Sequence, residues 1–150
     1  MLSSIATYEE NTMATSAVPL KVLIVDDHEP TAKILMLAMD AAGCQVQAVF
    51  NSIAAIEVLD SYIPDIVLLD INMPDMDGYK LCEMLRDDTR LGNALFIAQT
   101  GWNSDGHRKL SKRAGFHHHL AKPIDIEILL STINREIYSA RLVESANGNR

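Results

Sequence analysis

The stretch Ile66-Val67-Leu68-Leu69-Asp70-Ile71-Asn72-Met73-Pro74, running on through Asp75-Met76-Asp77-Gly78, decides the fold. Four aliphatic residues in a row read as a strand buried on both faces, the kind an α/β protein places inside a parallel sheet. The run breaks at a carboxylate and enters a loop containing Pro74. Asp70 therefore stands at the carboxyl edge of the sheet, where open α/β folds place their chemistry. Working outward, Val22-Leu23-Ile24-Val25 also ends in acid, at Asp26-Asp27, and the run from Ala94 to Ala98 gives out at Thr100. A further short segment ends in Lys122-Pro123. These strand ends bring carboxylates, a hydroxyl and an ammonium to one edge, a set suited to a divalent cation and a phosphoryl group.

Between the strands the spacing predicts helices. Pro30 opens one that runs to about Ala42 and is closed by Gly43. Its expected core stripe is Ile34, Leu35, Ala38, Ala41 and Ala42, which leaves Met36 and Leu37 exposed on the flanks of its polar side. Gln45–Phe50 alternates as a strand. Ser52 is expected to cap a second helix that turns Ile53, Ile56 and Leu59 to one face and stops before Pro64. A third helix starts near Gly78 and carries Leu81, Cys82 and Leu85 inward. The stretch Asn103–Arg113 makes the weakest helix, with Leu110 its one large aliphatic. Ile126, Leu129, Leu130, Ile133 and Ile137 mark the last. Strands alternating with helices imply a doubly wound parallel sheet covered on both faces. Residues 1–19 read as a flexible N-terminal tail, 20–140 as the domain and 141–150 as a C-terminal tail.

At 150 residues the chain makes one domain, and its net charge of −7 argues against a nucleic-acid surface. No apolar run approaches the ~18 residues of a membrane span. Cys44 and Cys82 read as free thiols in a reducing cytoplasm. No Gly-rich phosphate loop follows the first strand, which excludes a nucleotide-binding module of that type.

The acid pair, "LLDINMPDMDG", "QTG" and "AKP", in this order and each at a strand end, resemble the receiver domain of two-component response regulators, the CheY-like family, over about Lys21 to Ala140. Any one piece alone is ordinary turn or surface chemistry; their joint order is specific. The resemblance implies a flavodoxin-like five-stranded sheet of order 2-1-3-4-5 with five helices. It implies Asp70 as phosphoacceptor, and Mg²⁺, replaceable by Mn²⁺, bound by Asp27, Asp70, the Asn72 backbone carbonyl and, through water, Asp26. Lys122, its ammonium aimed into the pocket by a cis Lys122-Pro123 bond, would neutralise phosphoryl charge, and Thr100 would act as the switch, moving the segment from Trp102 through the last strand and helix. Implied partners are a sensor histidine kinase or histidine phosphotransfer protein and an unknown downstream protein target, with no direct nucleic-acid binding and no membrane insertion. The implied protein is a cytoplasmic phosphoacceptor with self-catalysed transfer and autodephosphorylation, not a turnover enzyme.

His119 departs from the pattern, for receivers commonly carry Tyr or Phe at this switch position. With Gly101, in "QTGW" and "GFHHHLAKP", it most resembles receivers attached to hybrid histidine kinases. A pseudo-receiver that binds without phosphorylation is the alternative, favoured by His119 but not by the intact acids and lysine. A haloacid-dehalogenase-type phosphohydrolase would need an acid where Asn72 stands. His117, His118 and His119 cannot converge on one metal, because successive strand residues point to opposite faces.

Overall fold

The computed structural model describes residues 18–101 and 105–148. The expected N-terminal tail, except Val18 and Pro19, lies outside them, as does Trp102. The elements are β1 (Lys21–Val25), α1 (Glu29–Ala41), β2 (Gln45–Val49), α2 (Ser52–Glu57), β3 (Ile66–Asp70), α3 (Gly78–Asp87), β4 (Leu95–Thr100), α4 (Asp105–Ala114), β5 (His118–Ala121) and α5 (Ile126–Gly148). Single 3-10 turns follow α2 at Val58–Asp60 and α3 at Thr89–Leu91. All strand pairs are parallel, in the order β2-β1-β3-β4-β5.

β3 is central and every one of its residues is buried, as its unbroken aliphatic run requires. Alternation along the strands divides the core in two. Leu23, Val25, Val67, Leu69, Phe96 and Ala98 pack under α2, α3 and α4 with Leu59, Leu81 and Leu85. Val22, Ile24, Ile66, Leu68 and Ile97 pack under α1 and α5 with Leu35, Met39, Leu129 and Ile133. Burying each Val, Leu, Ile, Phe or Met side chain among these stabilises the fold by about 1.5–3 kcal/mol before the opposing loss of chain entropy is counted. Gly43, at φ +94°, closes α1 in a conformation that a side chain would strain.

Two helices are phased differently from expectation. In α1 the buried residues are Ala32, Leu35 and Met39, while Ile34 is 64% exposed. Met36 is partly buried against the core and Leu37 is 67% exposed. Six apolar residues in succession carry no polar mark of phase, and the long Met39 side chain fills the sheet-facing position. In α2 the cap is Asn51, whose side chain accepts from Ala54 N at 2.8 Å. Ser52 instead donates its amide and hydroxyl to Asp75 Oδ2, at 2.9 and 2.5 Å. That moves Ile53 outward, to 64% exposure, and leaves Ala55 and Leu59 to fill the core. α5 continues through Gly148, so the segment from residue 141, expected as a tail, is helical to that point.

Candidate functional site

Four of the five strands deliver polar groups at their carboxyl ends. Asp26 and Asp27 follow β1, Asp70 ends β3, Thr100 ends β4 and Lys122 follows β5. Asp26 is fully buried and Asp70 is 2% exposed, while Asp27 is open to solvent. One oxygen from each of these three carboxylates lies within 4.8 Å of the other two. Lys122 Nζ lies 3.1 Å from Asp70 Oδ2 and 3.5 Å from Asp26 Oδ2. The Lys122-Pro123 bond is cis, and Lys122 N donates to Thr100 O at 2.7 Å, which ties the two strand ends together.

The loops that hold these groups are built from short polar contacts. Asp26 Oδ1 accepts from His28 N at 2.9 Å, so the same carboxylate that faces the pocket also fixes the entry to α1. Asp70 Oδ1 accepts from Asn72 N at 3.0 Å. Asn72 and Asp77 form an antiparallel bridge, and Gly78 N donates to Ile71 O at 3.1 Å, which folds the loop back onto β3. Gly78 is required by that approach: a Cβ there would lie 2.5 Å from Ile71 Cα and 2.7 Å from Asp70 O.

Burial raises the Asp26 pKa above its usual value, against the lowering effects of the His28 amide and the Lys122 ammonium. Asp26 Oδ2 is also buried and accepts no hydrogen bond among the described residues. Its charge partner is the Lys122 ammonium at 3.5 Å, and a cation held among the clustered carboxylates would relieve their mutual repulsion further. Oxygens bound at the ~2.1 Å typical of Mg²⁺ stand roughly 3–4 Å apart, so small side-chain rotations would bring this cluster around such an ion. The all-oxygen donor set fits a hard divalent metal.

The structure thus brings together Asp26, Asp27, Asp70 and Lys122, with Asn72 joined to Asp70 through its backbone amide. Thr100, fully buried, sits on the α3/α4 side of the sheet. His119 pairs in register with Ala98 and shares that side, two residue pairs back from the edge pair Thr100–Ala121. The three histidines diverge as alternation requires. His117 Nδ1 accepts from Phe96 N at 2.9 Å on one side, and His118 Nε2 lies 2.8 Å from Glu136 Oε1 of α5 on the other.

Two features have no place in the sequence expectations. The Ser52–Asp75 contact, long-range in sequence, anchors the loop after Asp70 to the start of α2. Its hydrogen bonds hold the Asp75 carboxyl below the usual range. Gln99, which follows the apolar run Leu95–Ala98, is fully buried beside Asp70. A polar residue in an apolar strand is the signal that marks it.

A family model described as the response regulator receiver domain matches residues 22–134. The polar-differentiation response regulator DivK of Brucella anthropi is 28% identical over 115 residues, which are 77% of this chain and 94% of that one. The response regulator PleD of Caulobacter vibrioides is 30% identical over 113 residues, 75% of this chain but only 25% of PleD. Among solved structures, the chemotaxis response regulator CheY4 of Vibrio cholerae superposes with a TM-score of 0.74 at 25% identity, covering 79% of this chain and 98% of that one.

Proposed function

The chain belongs to the response regulator receiver domain family, and from that premise we propose that it accepts a phosphoryl group from a phosphohistidine onto Asp70, with Mg²⁺ bound, and signals by switching conformation. The observation that carries this is the convergence of Asp26, Asp27, Asp70 and Lys122 on one pocket at the sheet's carboxyl edge. An Asp70 oxygen attacks phosphorus as the phosphorus–nitrogen bond of the donor breaks, with the electron pair leaving on the imidazole. Asp27, Asp70, the Asn72 carbonyl and Asp26 through water would hold the metal, which supplies charge neutralisation at the phosphoryl oxygens. Lys122 is placed to leave Asp70 and follow the incoming charge. Thr100 and His119, on one side of β4 and β5, form the switch path. Phosphorylation then biases two conformations of the α4–β5–α5 region, which a downstream protein target reads.

The donor's approach is supported by a cavity of about 400 Å³ beside the pocket. Thr31, Ile34 and Leu35 of α1 line it together with Lys122, Pro123 and Ile124. Ile34 and Leu37 are both largely exposed on α1. A helix carrying the phosphohistidine would cover this apolar strip and bring its imidazole over Asp70. No helix among the described residues is long and apolar enough to cross a membrane. We place the reaction in the cytoplasm, where the buried thiols of Cys44 and Cys82 would stay reduced.

The test is intact mass after incubation with Mg²⁺ and acetyl phosphate, followed by a phosphohistidine donor. A labile gain of one phosphoryl group is expected, absent without metal and absent in Asp70→Asn. No gain from either donor would overturn the assignment in favour of a pseudo-receiver that acts by binding alone.

A further inference from the structure

Gln99 is the residue of the pocket region that the phosphotransfer chemistry does not use. It is fully buried, and neither Nε2 nor Oε1 has a hydrogen-bond partner among the described residues. An amide buried without partners is costly, and methionine of nearly the same shape would fill the space without that cost. Its position is specific. Strand alternation puts it with Ile97 on the α1/α5 side of the sheet, and its register partners are Asp70 on β3 and Leu120 on β5. Register partners on neighbouring parallel strands lie about 4.8 Å apart and point to the same side, so the Gln99 amide stands next to the Asp70 side chain. Lys122, which follows β5, must cross the end of β4 to place its ammonium 3.1 Å from Asp70. The strand it crosses carries Gln99.

We propose that Gln99 is a positioning residue that favours the phosphorylated state; the proposal rests on Asp70 being the phosphoacceptor. In the unphosphorylated protein the Lys122 ammonium serves the Asp70 carboxylate, and the Gln99 amide is unsatisfied. When that ammonium turns to the phosphoryl oxygens, Gln99 Nε2–H takes its place as a donor to the Asp70 carboxyl group. The amide then costs free energy in one state only, and the difference biases the equilibrium toward the phosphorylated conformation.

The experiment is thermal unfolding of the wild-type chain, Gln99→Met, Gln99→Leu and Asp70→Asn, each with and without Mg²⁺ and beryllofluoride, a mimic of the phosphoryl group. In the free protein, Gln99→Met should unfold ~3 °C higher than wild type, and its beryllofluoride-induced rise should be smaller by a similar amount. Its apparent affinity for beryllofluoride should fall about tenfold. If the free and loaded states of Gln99→Met shift equally, the amide is only a structural cost and the proposal is overturned. If both apolar variants unfold below wild type in the free state, the amide is already satisfied there, and the proposal is again overturned. If wild type gains nothing from beryllofluoride, or Asp70→Asn gains as much, the phosphoacceptor assignment itself fails, a result distinct from the other two.

Discussion

The Lys122 ammonium lies 3.1 Å from Asp70 although β4 stands between the strand that precedes the lysine and the strand that ends in the aspartate. The same ammonium lies 3.5 Å from Asp26, so one cation serves two buried carboxylates on neighbouring strands. Two carboxylates ~5 Å apart repel by roughly 3 kcal/mol at an effective dielectric near 20. Lys122 and a bound divalent metal would therefore compete for the same relief. Lys122→Met keeps the stem and removes the charge. Mg²⁺ should bind this variant several-fold more tightly, while phosphoryl acceptance from acetyl phosphate should slow by about 10² as a charge partner of the transition state is lost. Metal titration and the time course of intact mass read the two effects separately; weaker metal binding would mean that the ammonium organises the acids instead of competing for them.

Gly78 and Gly101 make a contrasting pair at the same edge. A methyl at Gly78 would strike Ile71 Cα and Asp70 O, which are backbone atoms with little freedom to move, whereas a methyl at Gly101 meets nothing within 4 Å among the described residues. Gly78→Ala should therefore cost about 1–3 kcal/mol in urea unfolding, the usual range for overpacking, and misplace Asp70 for phosphorylation. Gly101→Ala should change stability by less than about 0.5 kcal/mol. Equal effects of the two would show that the approach of α3 to β3 is not tight.

Much of the fold and of the site is legible in the sequence because strand ends are local events. Apolar runs that stop at Asp26, Asp70 and Gln99-Thr100 mark both the strands and the edge at which their polar groups meet, with no need to know how helices pack. Helix phase is less legible. The run Ile34 to Met39 carries no polar residue to mark its outer side, so the pattern turns Ile34 inward, whereas in the fold it stands exposed and Met39 fills the core. Local preference makes Ser52 a cap, but a partner 23 residues away, Asp75, claims its hydroxyl, and Asn51 caps instead. Tertiary contacts of that kind leave no local trace in the sequence.

His117 makes stability depend on pH near neutrality. Its Nδ1 accepts from Phe96 N, its ring stacks on Phe96, and Arg86 lies 3.2 Å from Nε2. Partial burial first, and the Arg86 charge second, lower its pKa below the ordinary 6.5; His118 adds to the lowering and Glu136 opposes it. The folded state thus holds fewer protons than the unfolded one as pH falls through 6.5. The stability this contributes is present above that value and is lost toward the depressed folded pKa. Urea midpoints at pH 7.5, 6.5 and 5.5 should fall with acidity, and His117→Asn should show a visibly shallower fall. Parallel curves for the two proteins would remove His117 as the source.

Substitution at Ile34 would separate the proposed docking of a donor from the proposed chemistry at Asp70. It is 64% exposed on α1, yet lines the cavity that also reaches Lys122 and Pro123. Leu37, one turn on, is 67% exposed and continues the strip. Neither side chain supplies core packing, so Ile34→Asp and Leu37→Asp should leave the unfolding temperature within about 2 °C of wild type. A small donor such as acetyl phosphate needs no helix surface, and its rate should be unchanged. A donor that presents histidine on a helix must desolvate this strip, and an aspartate there adds a charge with no partner as well as repulsion from the nearby acids. Transfer from such a donor should slow tenfold or more in Ile34→Asp, and less in Leu37→Asp, which lies farther along the helix from the pocket. Equal slowing with both kinds of donor would place Ile34 in the reaction and not in docking; no slowing with either would mean that the donor approaches over another face.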